Sequence, residues 1–322
     1  MVIMVTGANG FVGRLLCDLL RRRGDRVIAA VRNSGSAPPF ASAEYVAGNL
    51  TSLPDLQSGM RGIDCVVHLA GRAHIMRENN PDSEQEFLRS NALVTHHLAT
   101  QAAAAGVRRL VFLSSIKVNG EVTTDRPFRE SDPPTPLDAY GRSKLAAENA
   151  LRKISAETGL EVVVIRPPLI YGPGVKANFR ILMHAVAKGY PLPLASVNNR
   201  RSLVSLWNLC DLISICTDHA GAAGETFLVA DEDDLSTPEL CRELGKSLQK
   251  PARLFPVSIC LLKFAGRLLA RCDMVERLTG SLQVDWSKTN RILGWYPPLS
   301  SENGLARTTR WYLDSIKTGN WG

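Results

Sequence analysis

Cysteine is sparse and follows no pairing pattern. Seven occur in 322 residues, an odd number without any Cys-x-x-Cys spacing, and Cys210 and Cys216 are the nearest pair. That excludes a disulfide framework and a structural metal site as expectations, and points to a reduced, cytoplasmic protein. Aromatic residues make up only 6%, and no Lys/Arg run is interleaved with them, so nucleic-acid binding is not expected. No long uncharged apolar run occurs. The stretch 255–271 is broken by Lys263 and Arg267 and is too short and too charged to span a bilayer. A basic amphipathic helix of that kind lies on a membrane surface or, more commonly, packs on its own domain; packing is the expectation here. Signal peptide, internal repeat and low-complexity tract are all missing from the pattern.

What is present is ordinary for a globular chain, 45% hydrophobic and 21% charged. The length suggests two lobes, and the formal charge of +7 suits an anionic ligand. Met1-Val2-Ile3-Met4-Val5 carries no charge, as expected of a strand buried on both faces. Thr6-Gly7-Ala8-Asn9-Gly10-Phe11-Val12-Gly13 follows, and then an apolar helical pattern from Arg14. Strand, glycine turn and helix N-terminus together form an anion site. Backbone N–H groups and the helix dipole face a pyrophosphate, and the absent side chains let it approach. Gly7, Asn9, Gly10, Phe11, Val12 and Gly13 are therefore candidate cofactor residues. The next strand, Arg26–Val31, ends in Arg32-Asn33-Ser34 without an acid. NAD-binding folds usually carry Asp or Glu there, whereas an Arg suits a 2′-phosphate. NADP(H) is the preferred cofactor and NAD(H) the alternative.

Leu110–Leu113 reads as an apolar strand ending in Ser114-Ser115. Tyr140-Gly141-Arg142-Ser143-Lys144 opens a later segment rich in Ala, Leu and Glu. Tyr140 and Lys144, four apart, share a helix face. An ammonium beside a phenol is expected to bring its pKa down from ~10, which prepares it for general acid–base work. Strand-like runs near 2–6, 26–31, 44–47, 64–69, 109–114 and 161–166 alternate with helical stretches. Those near 203–206 and 226–230 are expected at the sheet's edge. The predicted fold is α/β: a doubly wound parallel sheet of Rossmann type with a smaller C-terminal substrate lobe. Residues 1–166 and 203–231 would form the first part, and 167–202 and 232–322 the second. The Pro- and acid-rich stretch 125–136 reads as a loop over the site.

With these motifs the chain resembles the extended short-chain dehydrogenase/reductases, in the nucleotide-sugar epimerase/reductase/dehydratase group. His68-Leu69-Ala70-Gly71 matches the group's fourth-strand signature, Asn91 its helix asparagine, and Arg166-Pro167-Pro168 with the residues to Gly174 the loop beside the nicotinamide. The resemblance implies a cofactor site that includes Asn49, Leu50, Leu69, Ala70, Gly71, Asn91 and Pro167. It makes Ser115, Tyr140 and Lys144 catalytic, with Ser115 rather than Ser114 as the reacting hydroxyl. Asn49 departs from the usual Asp, and Asn119 from the usual Tyr of Val-Tyr-Gly. Asn178 matches the residue whose helix end meets the nucleotide diphosphate, Arg201 and Arg277 match arginines that contact the nucleotide, and Ser281 stands where relatives have Asp. Lys117 and Arg72 are weaker candidates for lining the site.

Dehydratases of the group carry Asp-Glu directly after the catalytic hydroxyl. Here Ile116-Lys117 stands there, which argues against dehydration. The absent acid after Val31 favours an NADPH-exchanging reductase over an epimerase that retains NAD. The stretch Leu113–Glu121 is similar to bacterial enzymes of O-antigen sugar synthesis. The expected activity is reduction of the C4 ketone of a UDP-4-keto-6-deoxy-N-acetylhexosamine, giving UDP-QuiNAc or UDP-FucNAc. A UDP-sugar 4-epimerase is the alternative. A catalytically silent NAD(P)-sensing regulator and a small-molecule carbonyl reductase are rivals of other classes. Helices near 84–105 and 139–158 resemble those that pair two subunits, so a homodimer is expected. No metal ligand set surrounds His96-His97.

Overall fold

The computed structural model describes residues 1–72 and 83–319. In chain order its elements are β1 (Val2–Thr6), α1 (Phe11–Arg23), β2 (Arg26–Val31), β3 (Ala43–Val46), β4 (Cys65–His68), α2 (Ser83–Phe87), α3 (Val94–Ala104), β5 (Arg109–Leu113), α4 (Ala139–Thr158), β6 (Glu161–Arg166) and β7 (Leu169–Tyr171). The remainder are α5 (Ala177–Lys188), β8 (Leu203–Ser205), α6 (Leu206–Cys216), β9 (Thr226–Leu228), α7 (Thr237–Ser247), α8 (Ile259–Leu268), α9 (Cys272–Thr279), α10 (Ser287–Leu293) and α11 (Ser301–Thr318).

Seven strands form a parallel sheet in the order β3-β2-β1-β4-β5-β6-β9. The order reverses between β1 and β4, which puts a crevice at the carboxyl ends of those strands. Alternate residues of each strand enter two separate cores. Ile3, Val5, Val67, Val111 and Ile165 pack with Leu16, Leu20, Leu209 and Ile213 of α1 and α6. Met4, Val66, Leu110, Phe112 and Val164 pack with Leu98, Ala102 and Leu151 of α3 and α4 on the other face. Both faces are covered, which explains why these strands are apolar runs rather than alternating ones. A third core of Tyr171, Phe179, Met183, Leu240, Leu244, Leu305 and Tyr312 packs β7, α5, α7 and α11 together.

The edge position expected for β9 is observed, but β8 departs from expectation. It pairs with β7 in a two-stranded parallel sheet, Ile170 opposite Val204. Pro167 and Pro168 explain the break after β6. Two consecutive residues without N–H groups cannot continue a ladder, so the chain leaves the main sheet and β8 follows it. The helix expected over 84–105 is likewise interrupted, by a π-helical turn over Leu88–Leu93 that carries Asn91. The α4 boundaries agree with the sequence pattern. Asp138 caps the first turn by accepting from the Gly141 N–H, and Gly159 ends the helix in the left-handed conformation.

Candidate active site

The glycine turn is a steric requirement. A Cβ on Gly13 would stand 2.2 Å from the Gly7 carbonyl oxygen, and one on Gly7, where φ is +68°, would stand 2.9 Å from the Ala70 nitrogen. The turn closes through a Gly10 N–H to Gly7 O hydrogen bond of 2.9 Å. Gly10 then caps α1 without a side chain, and the first turn of α1 holds no acid. The N–H groups of Phe11 and Val12 thus begin a helix whose end is left to an anion. Arg14 Nε donates to the Asn9 carbonyl at 3.0 Å and fixes the turn from outside. This cradle, too tight for any Cβ, fits a dinucleotide pyrophosphate.

The strand ends around it are tied together. Leu69 N–H donates to Thr6 O, and Ala70 N–H to Thr6 Oγ1, so the β1 and β4 ends move as one. Thr6 Oγ1 also meets His68 Nδ1 at 2.7 Å, and His68 Nε2 meets Thr95 Oγ1 at 3.0 Å. Burial, with the Lys144 charge nearby, holds His68 neutral at a pKa of about 3. Asn91 accepts from the Arg72 N–H and donates to Arg72 O and Ser143 Oγ. It therefore clamps the segment after Gly71 onto α4, and a Cβ on Gly71 would press on Asn91 at 3.1 Å. Arg32 lies exposed just beyond the β2 end, and no ion pair engages it among the described residues. Glu44 of β3 accepts from the Gly35 and Ala37 N–H groups and shapes the loop that follows Arg32, a role the sequence pattern did not signal. Asn49 Oδ1 accepts from Thr51 N–H and Thr51 Oγ1, capping the short turn that starts at Leu50.

Ser115, Tyr140 and Lys144 are brought together where β5 ends and α4 begins. The Ser115 hydroxyl hydrogen-bonds the Tyr140 phenol and accepts from Lys117 N–H at 3.2 Å. Lys144 Nζ donates to Leu113 O at 2.9 Å and sits 5.9 Å from the Tyr140 ring centre. The electrostatics correct one expectation. Burial pushes the Tyr140 phenol up to about 12, with Asp138 adding to the rise and the Ser115 hydrogen bond opposing it. The ammonium does not offset this rise: Lys144 Nζ donates to Leu113 O, and burial brings its own pKa down to about 8. Pro167 O accepts from Ile116 N–H, and a Cβ on Gly174 would stand 3.4 Å from the Phe11 ring, so the 167–174 loop runs between site and cofactor turn.

Behind these groups lies a buried network that sequence reasoning missed. Ser114 Oγ donates to Glu148 Oε1 at 2.6 Å, Arg166 makes a two-pronged contact with Glu148 at 2.9 and 2.6 Å, and Arg166 Nη1 reaches Asn119 Oδ1. Asn119 also donates to Arg129 O. Its departure from Tyr thus has a physical use, since an amide can accept from the guanidinium and donate onward. The available signal was the spacing of Glu148, one helical turn after Lys144. Lys117 is ion-paired with Asp138 and Glu121, and Arg72 with Glu86.

In the second half of the chain, Arg201 donates to the carbonyls of Arg277 and Gly280, so two of the three candidate nucleotide-binding residues are neighbours. Burial and the Arg277 charge push the Arg201 guanidinium downward. Asn178 is the second residue of α5, whose cap residue Lys176 makes no side-chain cap. Ser281 Oγ accepts from Arg200 N–H, and its carbonyl from Thr123 N–H, which joins this region to the segment following Ser115. Trp286, Trp295 and Tyr296 stack edge-on beside it. No group of three or more His, Cys, Asp or Glu suited to a metal occurs among the described residues. All seven cysteines are free. No helix among the described residues is long and apolar enough to cross a membrane.

Comparison with known proteins agrees with this architecture. Residues 3–230 match the family described as Epimerase: NAD dependent epimerase/dehydratase family. A UDP-glucose 4-epimerase of Vibrio cholerae is 43% identical over 316 residues, 97% of this chain and 96% of that protein. A UDP-2-acetamido-2,6-beta-L-arabino-hexul-4-ose reductase of Pseudomonas aeruginosa is 28% identical over 66% of this chain and 48% of its own length. Among solved structures, MoeE5 in complex with UDP-glucuronic acid and NAD superposes with a TM-score of 0.79 at 25% identity, covering 98% of this chain and 100% of that one.

Proposed function

The chain belongs to the NAD dependent epimerase/dehydratase family, and from that premise we propose that it transfers hydride at C4 of a UDP-hexose or UDP-hexosamine. The reading best supported is 4-epimerisation with a retained NAD. The observation that carries it is the Vibrio cholerae relative, alike over almost the whole of both chains. A bound nicotinamide would supply the hydride acceptor and donor. Gly7, Gly10, Gly13, Phe11 and Val12 would hold its pyrophosphate, with Leu69, Ala70, Gly71, Asn91 and Pro167 beside it. Asn49 and Leu50 would meet its adenine.

As phenolate, Tyr140 takes the proton from the C4 hydroxyl when the sugar is oxidised, and as phenol it returns that proton when the ketone is reduced. Ser115 hydrogen-bonds the same oxygen, and Lys144 orients the cofactor ribose. Asn178, Arg201 and Arg277 bind the diphosphate. Most of the acceleration then comes from position and fixed charge. The two-lobe division at 1–166 with 203–231, and 167–202 with 232–322, is part of the same reading, as is a cytoplasmic setting.

A specific observation favours a second outcome of the same chemistry. The β2 end has an unpaired Arg32 and no carboxylate among its immediate neighbours in sequence, which suits the 2′-phosphate of NADPH. With an exchanging cofactor the chain would reduce a UDP-4-keto-6-deoxy-N-acetylhexosamine to UDP-QuiNAc or UDP-FucNAc, as O-antigen synthesis requires.

Two assays separate these outcomes. Interconversion of UDP-glucose with UDP-galactose, or of their N-acetyl forms, without net change in reduced nicotinamide supports the epimerase. Consumption of added NADPH by the 4-keto sugar nucleotide, lost in Arg32→Asp, supports the reductase. In either case Tyr140→Phe should lower turnover about 10²–10⁴-fold while cofactor binding persists. Full turnover in that variant would remove Tyr140 from the chemistry.

A further inference from the structure

Helix α8 is apolar on two opposite faces. Ile259, Leu262 and Gly266 turn inward, and Leu262 packs against the third core. Gly266 lets α9 approach closely, since a Cβ there would stand 2.7 Å from Val275, and Arg271 N–H donates to Gly266 O across the turn at 2.7 Å. The α8–α9 hairpin is therefore docked by its inner stripe, and packing on the domain, as expected from sequence, accounts for only half of the helix.

The outer stripe faces water. Leu261 is 57% exposed, Phe264 64%, Leu268 78% and Leu269 69%. At 3.6 residues per turn, Leu261, Phe264 and Leu268 fall within an arc of about 60°. Lys263 and Arg267 run along one edge of that arc. From Arg253 to Arg271 the chain has four basic residues and no acid. Arg253, Lys263, Arg267 and Arg271 form no ion pair among the described residues, although most basic side chains near the active site do. Asp273 and Glu276 belong to α9, beyond the turn.

A surface helix ordinarily turns polar residues to water, and scattered apolar residues need no explanation, but a contiguous rimmed patch does. Bulky apolar side chains in the middle with unpaired Lys and Arg at the edge match the interface of a bilayer. The former enter the acyl boundary, and the latter keep their charge at the headgroups. We propose that the outer face of α8 docks this protein on the surface of a bilayer containing anionic lipid. The cation rim selects the lipid charge, and the apolar arc supplies the residence.

The test is flotation of the full chain with vesicles of phosphatidylcholine alone and of phosphatidylcholine mixed with phosphatidylglycerol. Binding is expected to the mixed vesicles only, and release at about 0.5 M salt, where screening collapses the surface potential. The double variant Lys263→Glu/Arg267→Glu should weaken binding at least twenty-fold, given about five-fold for each cation lost. Phe264→Asp/Leu268→Asp should abolish it. None of these residues belongs to the catalytic or nucleotide machinery, so turnover of a UDP-sugar in solution should be unchanged in both variants. That result also reports an intact fold. Failure of the wild-type chain to float, or equal flotation of wild type and variants, overturns the proposal. So does a fall in sedimenting mass on substitution, which would make the face a contact between copies of this chain.

Discussion

At the residue scale the decisive group is Tyr140, whose phenol lies near 12 because burial and Asp138 both oppose its ionisation. Asp138 also caps α4 and pairs with Lys117. Asn caps a helix about as well as Asp, so Asp138→Asn removes the charge while keeping the cap, and stability should change by less than about 0.5 kcal/mol. The sign of the pH effect follows. A negative charge near a phenol raises its pKa, so removing it lowers the pKa, and phenolate forms at lower pH. The rising limb of the pH–rate profile in the oxidative direction should move to lower pH in Asp138→Asn. An unmoved or upward-shifted limb would mean that another group titrates in that limb. Lys144 titrates separately. Its ammonium is lowered to about 8 by burial, so its charge is lost as pH rises through that value. The window in which Lys144 is charged and Tyr140 protonated is the acidic-to-neutral one.

At the element scale two constructions hold the site, and they differ in how visible they are in the sequence. The first is β1 with its glycine turn. It was legible because a charge-free run, three glycines at fixed spacing and a helical pattern admit few other geometries. Gly13→Ala should lose cofactor affinity more than ten-fold and about 1–3 kcal/mol of stability, since its Cβ would meet the Gly7 carbonyl at 2.2 Å. Cofactor titration and denaturant unfolding check the two parts. The second construction is the Glu148–Arg166 pair linking α4 to β6, with Ser114 and Asn119 attached. It was not legible, because residues 18 positions apart meet only through sheet and helix packing. Glu148→Gln would leave Arg166 buried with half its partner, and should cost about 3–5 kcal/mol in urea unfolding. A loss under 1 kcal/mol would mean that water reaches the guanidinium. The placement of β8 escaped sequence reading for a similar reason. Its three residues read as any buried strand, and only the chain's departure at Pro167-Pro168 decides which neighbour it pairs with.

At the scale of the whole molecule, two of the apolar surfaces exposed among the described residues call for different occupants. One is the outer face of α8. The other lies on the π-helical turn and α3, where Leu88 and Leu93 are exposed and His96 and Thr100 continue the line at helical spacing. This second surface carries few cations and is continuous with α4, which also holds Tyr140 and Lys144. Like surfaces on two helices of one subunit can meet their copies about a two-fold axis, and we expect a homodimer through it. Such a dimer would support the π-helical turn from outside, and with it Asn91, which clamps Arg72 and Ser143. Leu93→Arg would place like charges opposite each other across the axis. By sedimentation it should halve the mass of the particle. It should also reduce cofactor affinity by a few-fold, because the turn bearing Asn91 loses its support, while vesicle flotation through α8 is unaffected. A Leu93→Arg chain that keeps its mass would move the subunit contact off these helices. One that loses flotation together with its mass would show that the two surfaces act as one.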